Sequence, residues 1–464
     1  MTVEPGVGEQ EVADRGRETG QPRAPGWQTA VAVGSRVAAV AALGLALVLV
    51  YRYPRDFPSI DPGGANDELV AILVALLGFV LALAVVVFHP ERGSLRRLTW
   101  TAATWTVALL LTLGTVWSLI DADVREQIGL GTPMLNQADV DAYLARHLPR
   151  EPGSEPVVIP TGVMIQSIEF LNANNVQVTG FVWQKYAATV PSDISRGFAL
   201  PEAVAEAYQA DQAYTFEENG TEVIGWYIHA TLRQDFDYGR YPFDRQDVWL
   251  RLWHQDFDRG VVLEPDFSAY STMDPNALPG LDPQFVYGGW DPESTEFTYV
   301  LNRYNTTFGY GTEASRGDHP ELYFNVGLKR DFLGPFFDHI LLTLAVAVLL
   351  FIILALTTND AELQQRFGLN TAGVVGASSG LLFAVILKHS QIRSVIGSRQ
   401  IAYLEVLPFA LYATILLVAL NAILLASPLH VKLVEYKKNV LPVLAYWPFL
   451  LGVLLLVTIV AFYR

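Results

Sequence analysis

The side chains with chemistry to offer in this chain are carboxylates and aromatic rings. The motif QDFD occurs twice, at 234–237 and 255–258, supplying Asp235, Asp237, Asp256 and Asp258. Clustered carboxylates can hold Ca²⁺ or share a proton. Their spacing fits no EF-hand loop, and charged loop tips account for the same pattern. The eight His form no H-x-x-x-H pair, and the chain has neither a P-loop nor a G-x-G-x-x-G run. GASSG at 376–380 matches the letters of a G-x-S-x-G elbow, but it falls inside an apolar stretch rather than at a strand-to-helix turn. The expectation is a protein that is not an enzyme and has no cofactor, with Ca²⁺ or a proton as a candidate modulator.

A second cluster is YPFDRQ at 241–246. Pro242 fixes φ and withholds a donor, which suits a turn rather than a central strand. Tyr241 and Phe243 flank it and offer rings for packing. Asp244 is a carboxylate in an apolar setting and needs a partner.

The elements that must position these residues include membrane spans. At 464 residues, 51% hydrophobic and with positive mean hydropathy, the chain carries more apolar sequence than a soluble domain buries. Seven stretches can cross ~30 Å of hydrocarbon as helices of ~20 residues: 30–51, 69–88, 99–120, 333–357, 367–387, 401–426 and 440–463. The first contains Arg36 and imitates a signal peptide over 37–50. No small-residue cleavage pattern follows at Tyr51-Arg52-Tyr53, which favours an anchored helix. Arg15, Arg17 and Arg23 precede span one, Arg92, Arg96 and Arg97 separate spans two and three, and Lys432, Lys437 and Lys438 separate six and seven. Basic short loops stay on the cytoplasmic side, so the N terminus is expected inside a plasma (inner) membrane and Arg464 outside. Trp100, Trp105 and Trp117 read as interface anchors of the first three spans.

The block between spans three and four is then also outside. Residues 121–330 hold 31 acidic and 14 basic residues, essentially the whole formal charge of −16. That field repels nucleic acid and gathers cations, although a solvated acidic surface explains it as well. Alternating runs enriched in β-branched and aromatic residues read as half-buried strands at 164–171, 176–183, 223–232, 248–253, 297–304 and 321–330, with helix or loop near 198–212. The last strand leads through GLKRDFLGP directly into span four. The expected fold is a β + α membrane protein: a cytoplasmic tail (1–27), a three-helix transmembrane bundle (28–121), a linker with one short helix (122–155), an outer antiparallel β-sandwich (156–331) and a four-helix transmembrane block (332–464).

Over 155–464 this order of parts resembles the pentameric ligand-gated ion channel family, the Cys-loop receptors and their prokaryotic relatives. YPFDRQ looks like that family's aromatic-Pro-aromatic-Asp-x-Gln loop; Gln234 and Val248 stand where bracketing cysteines occur in animal members. NNVQVTGFVWQKY is similar to the second strand, with Tyr186 in place of a usual Trp and Ala188 in place of an Asp. ELYFNVGLKR looks like the final strand and its basic pair. The resemblance implies that Asp244 pairs with Arg330, and that Tyr241, Pro242, Phe243, Asp244, Gln246, Arg330 and Lys388 couple the sandwich to a pore.

It also implies an agonist pocket between subunits, lined by Phe181, Trp183, Trp253, Phe257, Tyr304, Phe308 and Tyr310, a box suited to a cationic amine. Core filling competes as an explanation, most strongly for Trp253. The pore helix would be RFGLNTAGVVGASSGLLFAVILKHS, with Asn370, Thr371, Ser378 and Ser379 as polar positions and Val375 and Leu382 as apolar constrictions. Gly373, Gly376 and Gly380 depart from the family, since small residues at that spacing read as close helix packing. Lys388, His389 and Arg393 are expected just outside this helix, where a His can sense pH. Asp360 and Glu362 are candidate selectivity carboxylates. The expected function is a homopentameric, cation-permeable, ligand-gated channel that responds to a small-molecule or ionic ligand and contacts membrane lipid. The alternative is a non-conducting receptor of the same fold that signals through a partner.

Overall fold

The computed structural model describes residues 95–122, 130–148, 156–256, 259–286, 288–306, 319–358, 361–367, 370–397, 401–429, 431, 434 and 439–462. The tail and the first two expected spans lie outside these residues. The chain divides into two compact units, 1–55 with 68–108, and 56–67 with 109–464. The second unit holds both β-sheets and the C-terminal helices.

Two β-sheets and several helices make up the described chain, and five helices are long and apolar enough to cross a membrane. In order they are α1 (Leu95–Ala122), β1 (Thr132–Pro133), α2 (Gln137–His147), β2 (Val157–Asn172), β3 (Asn175–Ala187), β4 (Ala203–Glu218), β5 (Thr221–Arg233), β6 (Arg245–Leu252), β7 (Val261–Pro265), β8 (Leu281–Val286), β9 (Trp290–Asn302) and β10 (His319–Arg330). The helices α3 (Leu333–Leu356), α4 (Ala361–Phe367), α5 (Thr371–Ile396), α6 (Tyr403–Ala426) and α7 (Val440–Phe462) complete the order. The five membrane candidates are α1, α3, α5, α6 and α7.

One sheet runs β1-β9-β10-β6 and the other β4-β5-β3-β2-β7, with β8 beside β2. β3 and β6 alternate strictly between buried and half-buried positions, as a pleated strand with one face on a core must. The sheets are not wholly antiparallel, as the sequence suggested. β7 and β8 both run parallel to β2, side by side along its 16 residues, each reached by a crossover instead of a tight turn. Residues 198–212 also differ from expectation, because the chain from Ala203 is an edge strand. β4 has no apolar alternation, and pairing with β5 through the Asn219-Gly220 turn fixes its state.

Residues 130–148, expected as linker, contribute β1 to the first sheet and send Met134, Val140 and Tyr143 into the buried cluster. That cluster holds residues of both sheets, such as Ile165 and Val178 against Leu250 and Phe324. It continues into the helix ends through Ile340, Ile392, Ile396 and Leu404. A separate cluster of Leu350, Val374, Ile415 and Leu450 joins α3, α5, α6 and α7. Their opposite faces leave large apolar side chains such as Leu341, Leu416 and Leu456 exposed, a surface that suits lipid.

Candidate junction and ligand site

Arg330 is the last residue of β10, three positions before the first residue of α3, and the loop after β5 brings Asp244 beside it. Arg330 Nε donates to Asp244 Oδ1 at 2.6 Å and Nη2 donates to Oδ2 at 2.9 Å, a bidentate pair. The Arg330 backbone N–H also donates to Asp244 O at 3.2 Å. The Asp244 side chain is 1% exposed and that of Arg330 13%, so each charge depends on the other. Gln246 Nε2 donates to Asp244 Oδ2 at 2.9 Å and to Asp237 O at 2.7 Å, which holds the loop closed. The guanidinium lies 4.0 Å from the Trp290 ring centroid and 4.8 Å from that of Tyr241. Burial pushes the Tyr238 and Tyr241 phenols up to about 12, so both rings face Arg330 as neutral groups.

Phe243 points the other way, into a cluster of rings. It stacks on Phe332 at 5.0 Å and meets Phe462 of α7, Tyr403 of α6 and Trp117 of α1 at 5.9, 6.2 and 6.2 Å. Trp117 Nε1 donates to Tyr403 OH at 2.8 Å, and Lys329 pairs with Asp121 at 3.1 Å. Trp117 is therefore built into this junction, where the sequence alone suggested an interface anchor. Two backbone bonds tie the loop to the start of α6: Tyr403 N–H to Gly239 O at 2.9 Å and Leu404 N–H to Tyr241 O at 3.1 Å. Phe332, Tyr403, Leu404 and Phe462 carried no functional signal in sequence beyond being aromatic or apolar at helix ends.

Gln234 clasps the first residues after β5 to β6. Its Nε2 donates to Trp249 O at 2.5 Å, while Trp249 N–H donates to its Oε1 at 3.4 Å, one residue from Val248. Lys388, His389 and Arg393 lie within α5 rather than beyond it, because Ile392 and Ile396 prolong the buried stripe until Gly397 ends the helix at φ 80°. A Cβ on Gly397 would meet Ala173 Cβ, in the β2–β3 turn, at 3.0 Å. Lys388 lines a cavity of about 370 Å³ together with Tyr241, Arg330, Asp338 and His339, and its Nζ donates to Gln391 at 3.2 Å. Arg393 pairs with the fully buried Glu405 at 2.8 Å, and His389 Nδ1 contacts Tyr412 OH at 3.1 Å.

The aromatic residues expected at a ligand site fall into two groups. Trp253 and Tyr304 meet edge to face at 5.8 Å. Phe181 and Trp183 belong to the other sheet, where Phe181 packs on Tyr227 and Trp183 on Tyr270; Trp183 Nε1 donates to Asp266 Oδ2 at 2.9 Å. Phe257, Phe308 and Tyr310 lie outside the described residues. The site beside Trp253 also holds Arg251, Glu202 and Glu321, which the sequence reading missed.

The two QDFD motifs do not meet. They flank β6, whose eight residues span roughly 26 Å. Asp256 accepts the Ser195 N–H at 2.6 Å, Asp237 accepts the Gly239 N–H at 2.8 Å, Asp235 is exposed, and Asp258 lies outside the described residues. Among the described residues no group of three metal-ligating side chains forms.

On α5, Asn370 caps the helix by accepting the Gly373 N–H at 2.8 Å. Val374, Ser378, Val385, Ile392 and Ile396 make the buried stripe, so Ser378 faces the other helices. Ser379 is exposed, and Thr371, Val375 and Leu382 are half-buried. A Cβ on Gly376 or Gly380 would meet nothing within 4 Å, so among the described residues these glycines do not pack against another helix. Asp360 lies outside the described residues, whereas Glu362 stands in the first turn of α4. Comparison of the chain with models of known protein families and with curated protein sequences finds no match.

Proposed function

We propose that this protein is a homopentameric, cation-permeable, ligand-gated channel of a bacterial inner membrane. In this reading an outer β-sandwich acts on a four-helix block whose α5 lines the pore. The observation that carries it is the junction: one short loop uses Asp244 to hold the strand entering α3, Phe243 to touch rings at the ends of α1, α6 and α7, and its own backbone to hold the start of α6. A sheet displacement passes through buried, directional contacts and leaves little slack for a flexible linker to absorb.

The outward face of α5, with Ala372, Gly376, Ser379, Gly380 and Phe383, lines the pore in this reading. Small and polar side chains at its inner half suit a water-filled path, with Phe383 and Leu387, exposed where the expected Val375 and Leu382 are half-buried, as the apolar constriction. Trp253 and Tyr304 form one half of a ligand site, and Phe181 and Trp183 of a neighbouring copy form the other half. The N terminus is cytoplasmic and the sheets are outside.

Native mass measurement on purified protein, together with planar-bilayer recording across pH, Ca²⁺ and small-molecule panels, tests this. A pentamer with stepwise currents is expected. A stable monomer contradicts the reading, and a pentamer silent under every condition favours a non-conducting receptor.

A further inference from the structure

Arg251 stands where an external organic cation would have to stand. Its guanidinium carbon lies 5.5 Å from the Trp253 ring centroid, within cation–π range. Nη1 donates to Tyr304 OH at 3.0 Å and to Glu321 Oε2 at 3.4 Å, and Nη2 pairs with Glu202. Tyr304 in turn donates to Glu321 Oε1 at 2.5 Å, and Asn302 Nδ2 donates to Glu321 Oε2 at 2.5 Å. The Trp253 ring, the Tyr304 hydroxyl and both carboxylates that could attract an ammonium are thus engaged by the chain's own cation. The three charged side chains are largely buried, with exposures of 17% for Arg251, 14% for Glu202 and 7% for Glu321, beneath an exposed Tyr304. An incoming cation would have to displace a forked guanidinium from two carboxylates and leave it without a counter-charge, because like charges do not share so confined a site.

We propose that Arg251 is the specificity-determining residue of this site: an internal cation that bars organic cations, and whose removal turns the site into one that accepts them. The proposal rests on reading Trp253 and Tyr304 as part of a ligand site, and it reverses the amine preference that the aromatic residues alone imply.

The test is calorimetric titration of the full-length protein in detergent with ethylguanidinium and with tetramethylammonium, comparing wild type, Trp253→Leu, Arg251→Ala, Arg251→Gln and Arg251→Gln/Trp253→Leu. Wild type is expected to give no saturable binding. Either Arg251 single variant is expected to bind at least one of the two cations saturably, with a Kd about tenfold or more below the weakest that the titration detects, which corresponds to ~1.4 kcal/mol, and the double variant to lose that binding. Arg251→Gln keeps a polar side chain of similar reach beside Tyr304, so a folding failure of Arg251→Ala leaves the test intact. Saturable wild-type binding that Trp253→Leu abolishes overturns the proposal, as does the absence of any gain in the folded variants. The readout is binding, so a wild-type protein that passes no current would refute the channel reading and leave this one standing.

Discussion

Arg330 and Asp244 are joined by two parallel hydrogen bonds, 2.6 and 2.9 Å long, between the final strand and the loop that precedes β6. The pair is buried on the carboxylate side and roofed on the guanidinium side by Trp290 and Tyr241. Removing one partner strands the other in a low-dielectric site. Asp244→Asn is expected to cost about 3–5 kcal/mol of stability, and Asp244→Asn combined with Arg330→Gln less than the sum of the two single changes. Denaturant titrations of the three variants check this; additive losses would mean the pair is not coupled.

Phe243 is the loop's apolar anchor. Phe243→Ala should destabilise by about 3–5 kcal/mol, and Phe243→Leu by far less, because Leu keeps most of the buried area. Thermal unfolding in detergent distinguishes them. Equal melting temperatures for wild type and Phe243→Ala would show that the ring cluster contributes nothing.

Gln234 satisfies both polar groups of the Trp249 backbone. Gln234→Ala leaves them unpaired in a buried setting and should cost about 1–3 kcal/mol. Hydrogen exchange should report the loss as faster exchange at Trp249 and along β6, with protection in α6 unchanged.

Asp247 sets a pH dependence. Burial first, and then the charges of Glu296 and Glu293, push its carboxyl up to about 6 from an ordinary 3.8. The folded state therefore binds the proton more tightly than the unfolded state. Stability from this group is greatest below pH ~4, falls as pH rises to about 6, and stays lowered above that. Asp247→Asn is expected to stabilise the protein at pH 7 by on the order of 1–2 kcal/mol and to flatten the profile between pH 4 and 6. An unchanged slope there would exclude Asp247 as its source.

Much of this was legible in sequence where one physical rule dominated. Strict alternation in NVQVTGFVWQKYA gave β3, and the Pro, the flanking aromatics and the carboxylate of YPFDRQ marked a turn whose Asp244 needs a partner, while Arg330 as that partner was implied only by the family resemblance. The length of α5 was not legible from hydropathy, because Lys388, His389 and Arg393 look like a helix end, while Ile392 and Ile396 keep the helical period in a buried stripe. β4 was missed for lack of an apolar face, although Asn219-Gly220, with φ of 53° and 75°, is a hairpin turn signal in plain letters. The expected ligand site shows the same limit. Ring spacing located Phe181 and Trp183 on one strand face, and the family resemblance singled out Trp253, but neither said anything of the polar partners, Asp266 for Trp183 and the Arg251 cluster near Trp253.

The most direct test of the central claim is planar-bilayer recording on wild type and Asp244→Asn, each confirmed as a pentamer by native mass. Ligand-dependent openings are expected in wild type, and Asp244→Asn is expected to lose or greatly reduce them while its assembly is retained. An Asp244→Asn channel that opens like wild type would contradict the claim that this pair carries movement from the sheets to the membrane helices.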